Sequence, residues 1–552
     1  MSTSGHDVEK SPDGNSVDTY PAGVQTYAIS DDNNRFDVAS IDMVQRRLKQ
    51  RHVQMIAIAG TLGTGLFLGS GQALSGAGPL GALFAYALVG TVAYSSLCSL
   101  GEMTSHAPIS GTFPHFASRW VDPALGFAVG WNYFYTNVIS VPVEVSGAQI
   151  LITYWDSNPS HAGIYIGVIC IFVSAINIFG VRYFGEAEFI FSLIKLTMIT
   201  GLILLGIILD AEPGSGPGGG RLGFHYWNDP GVFNGAGLVS NIGLDRFLGI
   251  LSVLIKAGFS FQGMEIVAIA ASETENPRRN IAKAVRRVFY RICIFYILGV
   301  FVTGLLVPYN DSQLLQTAGT AADSPYVLAM TRAGIKTLPG IINAGIMTSA
   351  FSAANSFLFC SSRILYGLAL RGQAPRIFAH CTDRGLPIAA VLFSAAFSFL
   401  SLMSISSGAE TVFTWFVSLS TVGGFFSWGT INFTYLFFYR GMKAQGIDRK
   451  QLHYWSGLQP YLSIWGVTWC TILVLINGFE VFWNFTAAKF LTAYINIPLF
   501  IILYVYWKIT KKTKVWDPKE MDFYTGIPTN EETESPEVPP RNFAEKVAAT
   551  LF

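Results

Sequence analysis

Charge is what this 552-residue sequence has least of: 13% of its residues are Asp, Glu, Lys or Arg, while 51% are hydrophobic. Water-soluble domains carry about 25% charged residues, so there is too little charge here to cover a water-facing surface. The net charge of +1 supplies no field for nucleic acid, which is excluded as a partner, or for any strongly charged macromolecule. The six cysteines (Cys98, Cys170, Cys293, Cys360, Cys381, Cys470) form no CxxC pair and read as small core residues, not as a disulfide framework or a metal site. The eight histidines are equally dispersed, so no metal is expected. The first fifty residues are polar and lack the basic-plus-apolar start of a cleavable signal, so the first apolar run is expected to direct insertion. No Gly-Lys-Ser/Thr follows the Gly-rich stretch at 60–65, which excludes a phosphate loop. No constellation supports an enzyme.

Long apolar runs are what the sequence has instead. Crossing hydrocarbon as a helix takes about 20 residues, and about twelve runs qualify. They lie near 53–78, 79–103, 124–154, 161–180, 187–209, 247–272, 286–308, 338–370, 387–406, 411–438, 460–482 and 488–508. Basic residues recur on alternate connections: Arg46, Arg47, Lys49 and Arg51 before span 1, and Arg278, Arg279 and Lys283 after span 6. Arg440, Lys443, Arg449 and Lys450 follow span 10, and Lys508, Lys511, Lys512 and Lys514 follow span 12. The positive-inside rule then places both termini in the cytoplasm. The domain map is a cytoplasmic tail over 1–45, a transmembrane domain over 46–510 and a cytoplasmic tail over 511–552. The tails read as disordered or at most folded back in short pieces, either a platform for ubiquitin and trafficking machinery or plain solvated chain. The sequons at Asn310 and Asn484 fall on outside loops, whereas Asn432-Phe433-Thr434 lies within a span and should be silent.

Two spans carry helix-breaking patterns at membrane depth. Span 1 holds Gly60-Thr61-Leu62-Gly63-Thr64-Gly65, and span 6 holds Gly258-Phe259-Ser260-Phe261-Gln262-Gly263. They sit five spans apart, and an odd offset inserts the second with inverted topology, the pattern of transporters built from inverted repeats with discontinuous helices. Unwinding a span frees N–H and C=O groups, tolerable only against protein or a wet cavity. A half-helix start at Gly63–Gly65 suits a carboxylate, and freed carbonyls suit an ammonium. This points to a zwitterion held by backbone, on Thr61, Gly63, Thr64 and Gly65 and on Phe259, Ser260, Phe261, Gln262 and Gly263, with Phe259 placed as a lid. The competing reading, glycines for close helix packing, explains either span alone but not the matched pair.

Charge at membrane depth costs about 2.5 kcal/mol or more. Lys195 in span 5, Glu265 at the span 6 break and Glu144 in span 3 are therefore candidates for proton coupling or site electrostatics. Lys256 and Glu102 read as snorkelling or structural groups.

These residues resemble a known family. Ile58-Ala59-Gly60-Thr61-Leu62-Gly63-Thr64-Gly65-Leu66-Phe67, Gly101-Glu102-Met103, Pro108-Ile109-Ser110-Gly111 and Val121-Asp122-Pro123-Ala124-Leu125-Gly126-Phe127 are similar to fungal amino-acid permeases. So are Phe259 to Glu265, Glu273-Thr274-Glu275-Asn276-Pro277-Arg278-Arg279, Ala354-Asn355-Ser356 and Ser362-Arg363. That family is the yeast amino-acid transporter branch of the amino acid–polyamine–organocation superfamily. The resemblance implies an all-α integral membrane fold of twelve transmembrane helices. It is a LeuT-type 5+5 inverted repeat plus two extra helices, with helices 1 and 6 discontinuous. It also implies import at the plasma membrane with a proton as coupling ion and no other cofactor. The family's carboxylate motif falls on Gly63, Thr64 and Gly65, its amine-binding carbonyls near Thr61, its gate on Phe259, and its span 5 lysine on Lys195. The expected substrates are amino acids of broad or neutral range, with basic amino acids as the alternative and a nutrient sensor of the same fold as the competing class. Met264, where Thr is common, and the span 10 end at Asn432–Phe438 depart from the pattern and bear on substrate preference.

Overall fold

The computed structural model describes residues 55–56, 60, 62–109, 111–156, 158–179, 181–213, 219–272, 274, 276–315, 324–383 and 385–534. Thr61, the tail over 1–45 and the end of the other tail lie outside the described residues, and with them the sites expected for ubiquitin and trafficking machinery.

The described chain is helical almost throughout. A short turn, α1 (Thr64–Phe67), leads into α2 (Gly69–His106), which changes direction at Gly78 (φ 77). Gly78 precedes Pro79, at the boundary read between spans 1 and 2. Three elements follow on the chain: α3 (Thr112–Trp120), α4 (Pro123–Ile152) and α5 (Ala162–Ile178). Asp122 caps α4 by accepting from Ala124 N at 2.9 Å, with Pro123 at the first helical position. Next come α6 (Val181–Ala211), α7 (Ile242–Phe261), α8 (Ile266–Ser272) and α9 (Pro277–Arg291). A π turn over Ile292–Ile297 joins α9 to α10 (Leu298–Leu306). The remainder is α11 (Leu338–Leu370), α12 (Ile388–Ala396), α13 (Ala409–Ala444), α14 (Tyr461–Ile476), α15 (Ala487–Tyr494) and α16 (Asn496–Lys511).

Seven described stretches are long and apolar enough to cross a membrane, and the pair α15–α16, bent by 43°, makes an eighth. One of the seven, Thr64–His106, has 43 residues, and at about 1.5 Å per residue would reach roughly twice the thickness of a hydrocarbon core. The seven do not include α4, α11 or α13, although these have 30, 33 and 36 residues. The reason is composition: they bury Asn132, Thr136, Asn137, Ser349, Asn355 and Thr430 among many other polar groups. Such residues are tolerable because hydroxyls bond back along the helix, as Thr136 Oγ1 does to Asn132 O and Ser140 Oγ to Thr136 O, both at 2.8 Å. The outer helices show the reverse, exposing Ile164, Ile171 and Phe172 on α5, and Ile501, Ile502 and Ile509 on α16. Greasy outside and polar within is the arrangement a lipid solvent selects.

Two bodies emerge from the packing. α2 lies along α7, α9 and α10, while α4 lies along α3, α11 and α13. A polar seam joins them where α2 meets α13. Asn432, fully buried, donates to Ser96 Oγ at 2.8 Å and to Trp428 O at 3.0 Å, and accepts from Ser99 Oγ at 2.8 Å. Asn432→Leu strips partners from two buried hydroxyls, which should cost about 1–3 kcal/mol. A lowered melting midpoint in detergent is the expected result, and an unchanged midpoint would show that the seam does not contribute.

Candidate functional site

The two Gly-rich segments meet. Gly63 is extended (φ −111, ψ −158) and the helix starts only at Thr64. α7 stops at Phe261, with Gln262 extended (φ −62, ψ 143) and Gly263 at φ 94, a conformation that glycine adopts without penalty. A Cβ on Gly60 would lie 3.1 Å from Gly263 O, and one on Gly65 would lie 2.8 Å from Ser260 Cα. Side chains hold the two together: Ser260 Oγ donates to Gly65 O at 2.6 Å and accepts from Tyr86 OH at 2.9 Å, while Tyr296 OH donates to Ser260 O at 3.0 Å. Leu62 O accepts from Ser349 Oγ on α11 at 2.5 Å.

Thr64 N, the first amide of α1, donates to Glu144 Oε2 at 3.2 Å. Glu144 comes from the middle of α4 and is buried, and its other oxygen lies over Gly63, where a Cβ would stand 2.6 Å from Oε1. Lys195 of α6 is fully buried within electrostatic reach of two carboxylates, Glu188 and Glu144. Glu188 accepts from Ser352 Oγ at 2.6 Å and Asn355 Nδ2 at 2.5 Å, and Asn177 Nδ2 donates in turn to Asn355 Oδ1 at 2.6 Å. The sequence reading missed Glu188. Glu188 precedes Lys195 by seven residues, two turns along the same helical face, but its place at the edge of an apolar run masks that signal.

Glu265 stands in a separate group. Its carboxylate accepts from Tyr133 OH at 3.1 Å and from Trp428 Nε1 at 3.0 Å, partners on α4 and α13. Glu144 is thus brought to the start of α1, with Lys195 within electrostatic reach of it, whereas Glu265 is bonded to Tyr133 and Trp428 just past Gly263. Gln262 Nε2 donates to Ser140 Oγ of α4 at 3.2 Å. Phe261 is stacked on Tyr296 with ring centres 4.2 Å apart and lies against Tyr86. Phe259 belongs to a small apolar cluster distinct from the main core, with Ile139, Val143, Val412, Phe413 and Phe416, and its ring meets Phe413 edge-on at 6.3 Å. Glu102 serves a structural tie, accepting from Tyr435 OH at 2.6 Å and Ser456 N at 2.6 Å beside Arg449. Among the described residues, no three His, Cys, Asp or Glu side chains cluster as metal ligands.

Such an arrangement offers backbone donors and acceptors at a pair of facing helix ends, a carboxylate competing for one donor, and an apolar cover. Lys195→Met would leave Glu144 and Glu188 buried without their cation, and breaking a buried charge group of this kind costs about 3–5 kcal/mol. The expected result is a marked fall in thermal stability, partly recovered in Lys195→Met/Glu188→Gln. Equal midpoints for the two variants would show that Glu188 does not balance Lys195.

The Amino acid permease family model matches residues 52–519. A dicarboxylic amino acid permease of Saccharomyces cerevisiae is 41% identical, over 87% of this chain and 80% of its own length. A proline-specific permease of Emericella nidulans is 40% identical, over 92% of this chain and 93% of its own length. A lysine-specific permease of Saccharomyces cerevisiae is 37% identical, over 87% of this chain and 78% of its own length. With a match over most of its length, this chain is a multi-pass membrane protein of the amino acid permease family.

Proposed function

We propose that this permease imports amino acids across the plasma membrane by proton symport, binding the zwitterion between its two helix breaks. The observation that carries the reading is the meeting of those breaks, with Ser260 bonded to Gly65 O and Glu144 bonded to Thr64 N. The substrate carboxylate takes the amides at Gly63, Thr64 and Gly65, and its ammonium takes carbonyls freed near Thr61. Phe259 closes over it against Phe413. Because Glu144 already holds Thr64 N, an incoming carboxylate must displace it. A proton on Glu144 removes the charge that would repel the substrate, so proton and amino acid enter together. Lys195 and Glu188 fix the field in which Glu144 exchanges that proton, and Glu265 keeps the second break in place.

The LeuT-type architecture with twelve spans is part of this reading. Dividing Thr64–His106 at Gly78, then adding the bent pair and the three polar-lined helices α4, α11 and α13, supports that number. The even number and the basic connections put both termini in the cytoplasm. A neutral or broad range is favoured over a basic one because Glu144 and Glu265 both have partners, leaving neither as a ready counter-charge for a basic side chain. The relatives' names run from dicarboxylic amino acids through proline to lysine. Backbone recognition of the part common to all amino acids accommodates that spread.

The test is uptake of a panel of labelled amino acids by transporter-deleted cells expressing the chain, at external pH of about 5 and about 8. Neutral amino acids should accumulate strongly at the lower pH and weakly at the higher. At equal surface levels, Gly65→Ala, whose new Cβ would press on Ser260 Cα at 2.8 Å, should cut uptake at least roughly tenfold, since displacements of this size are costly at a binding site. A surface-expressed chain that takes up no amino acid would overturn import, and uptake indifferent to pH would overturn proton coupling.

A further inference from the structure

Beyond α16 the chain folds back over the end of the molecule that carries α3 and the start of α9. Thr513 Oγ1 donates to Asp122 Oδ1 at 2.7 Å, and Lys508 pairs with the same carboxylate. Trp516 N and Nε1 donate to Val121 O and Ser118 O, each at 2.9 Å. Gln445 Nε2, just past α13, donates to Pro518 O at 3.2 Å and Met521 O at 2.7 Å. Arg119, whose side chain is buried, donates to Asp522 O at 2.8 Å and pairs with the Asp522 carboxylate at 3.0 Å, while Trp120 Nε1 donates to Asp522 O at 3.0 Å. These contacts all fall on the body built around α4.

The next residues cross to the other body. His106 Nε2, at the end of α2, donates to Phe523 O at 3.0 Å. At the start of α9, Arg278 donates to Thr533 Oγ1 at 2.6 Å and to Pro528 O at 2.5 Å, while its own amide donates to Glu534 Oε1 at 2.9 Å. Arg279 lies 4.0 Å from the Glu534 carboxylate. Phe523, 1% exposed, fills the junction: its ring is stacked on Trp120 of α3 and packs against Phe438 of α13 and His106 of α2, with all three centres 5.7 Å away. An exposed solvated tail would show none of this. Loose polar contacts alone would also not bury Met521 and Phe523 or sequester the Arg119 side chain.

We propose that residues 516–534 form a strap across the two bodies, and that its grip on His106 and Arg278 must be released before this end opens around the site. The strap rests on the transport reading for its purpose, because it joins the bodies whose relative movement would expose the site to the cytoplasm. Its geometry assigns the parts: Trp516 to Asp522 anchor it to the α4 body, Phe523 plugs the seam, and 528–534 form the detachable end. The segment acts as a closing element of the same chain, so its hold is independent of concentration and competes directly with the outward swing of α2 and α9.

The experiment uses the full-length chain in proteoliposomes, with Cys293 and Cys381, the cysteines that are not buried, replaced by Ser. Arg279→Cys and Glu534→Cys, joined by a short reducible thiol cross-linker, should lower amino-acid counterflow roughly tenfold, and reduction should restore it. Independently, Thr104→Cys on the last turns of α2 reports opening through its labelling by an impermeant maleimide added on the strap's side. Adding Phe523→Ala or Thr533→Val should raise that labelling rate roughly tenfold, as a weakened local closure would. Cross-linked protein that transports at the uncross-linked rate, or labelling indifferent to Phe523→Ala and Thr533→Val, would overturn the strap. Labelling that responds in a chain that carries no amino acid would leave the strap standing and remove the proposed function instead.

Discussion

Hydrocarbon offers no hydrogen bonds, so a helix that breaks inside it must find partners for every freed backbone group within the protein. That constraint organises this molecule. At the first break Leu62 O takes Ser349 from α11, Thr64 N takes Glu144 from α4, and Gly65 O takes Ser260 from α7. At the second, Ser260 O takes Tyr296. Even the turn at Gly78 is met this way, since Asn234 N donates to Ala77 O at 2.9 Å and Leu80 N to Val232 O at 3.1 Å. Each partner comes from a different part of the chain, so satisfying the breaks fixes how the helices are arranged around them.

The same reasoning explains why the central helices are the polar ones. Lys195 is fully buried, and its burial demands opposite charge nearby. Glu188 and Glu144 provide it, Ser352 and Asn355 then serve the oxygens of Glu188, and Asn177 serves Asn355 in turn. A polar group inside a membrane protein recruits others until the last one is satisfied, so α4 and α11 carry their Asn, Ser and Thr on buried faces. The lipid-facing sides of α5 and α16 have no such obligation and expose Ile164, Ile171, Phe172, Ile501, Ile502 and Ile509, while Asn177 and Asn496 turn inward to Asn355 and Leu419 O.

How much of this the sequence disclosed follows from the kind of signal each feature leaves. Glycines and ionisable residues stand out in apolar runs because they violate the rule that shapes everything around them, so the segments 60–65 and 258–263 and the residues Glu144, Lys195 and Glu265 could be singled out from the sequence. Glu188 was not, because it lies beside Glu186 and Arg182 at the edge of its run, where a carboxylate passes for an end group. Tyr86, Tyr133, Tyr296 and Trp428 were hidden by abundance: in a chain 14% aromatic, ring identity carries no direction, and only the fold shows which hydroxyl or indole turns inward. The segment 513–534 read as disordered or at most folded back in short pieces, and its packing was not legible because much of its attachment runs through its own carbonyl groups, which composition does not record. Gly78–Pro79 was legible as a boundary since that pair cannot continue a regular helix without a bend.

The proposed site has contacts within the α2 body, such as Ser260 to Gly65, and contacts that cross to the α4 body: Glu144 to Thr64, Gln262 to Ser140, Tyr133 and Trp428 to Glu265, Phe259 to Phe413. Its two ends are closed by different physics. Around Phe259 the closure is apolar, non-directional and proportional to the area removed from water, about 25 cal/mol for each Å². Such a contact can slide and re-form, which suits the cover proposed for Phe259. At the other end closure comes from directional bonds, each worth about 0.5–1.5 kcal/mol net, to Glu102, His106, Arg119 and Arg278. Bonds of that kind hold one geometry and fail once the donors move apart. If Phe259 serves as the proposed lid and 516–534 as the proposed strap, with its polar bonds and the Phe523 plug, the two ends would respond differently to the same rotation of the bodies. In the proposed transport cycle, that difference would let one end open while the other stays shut.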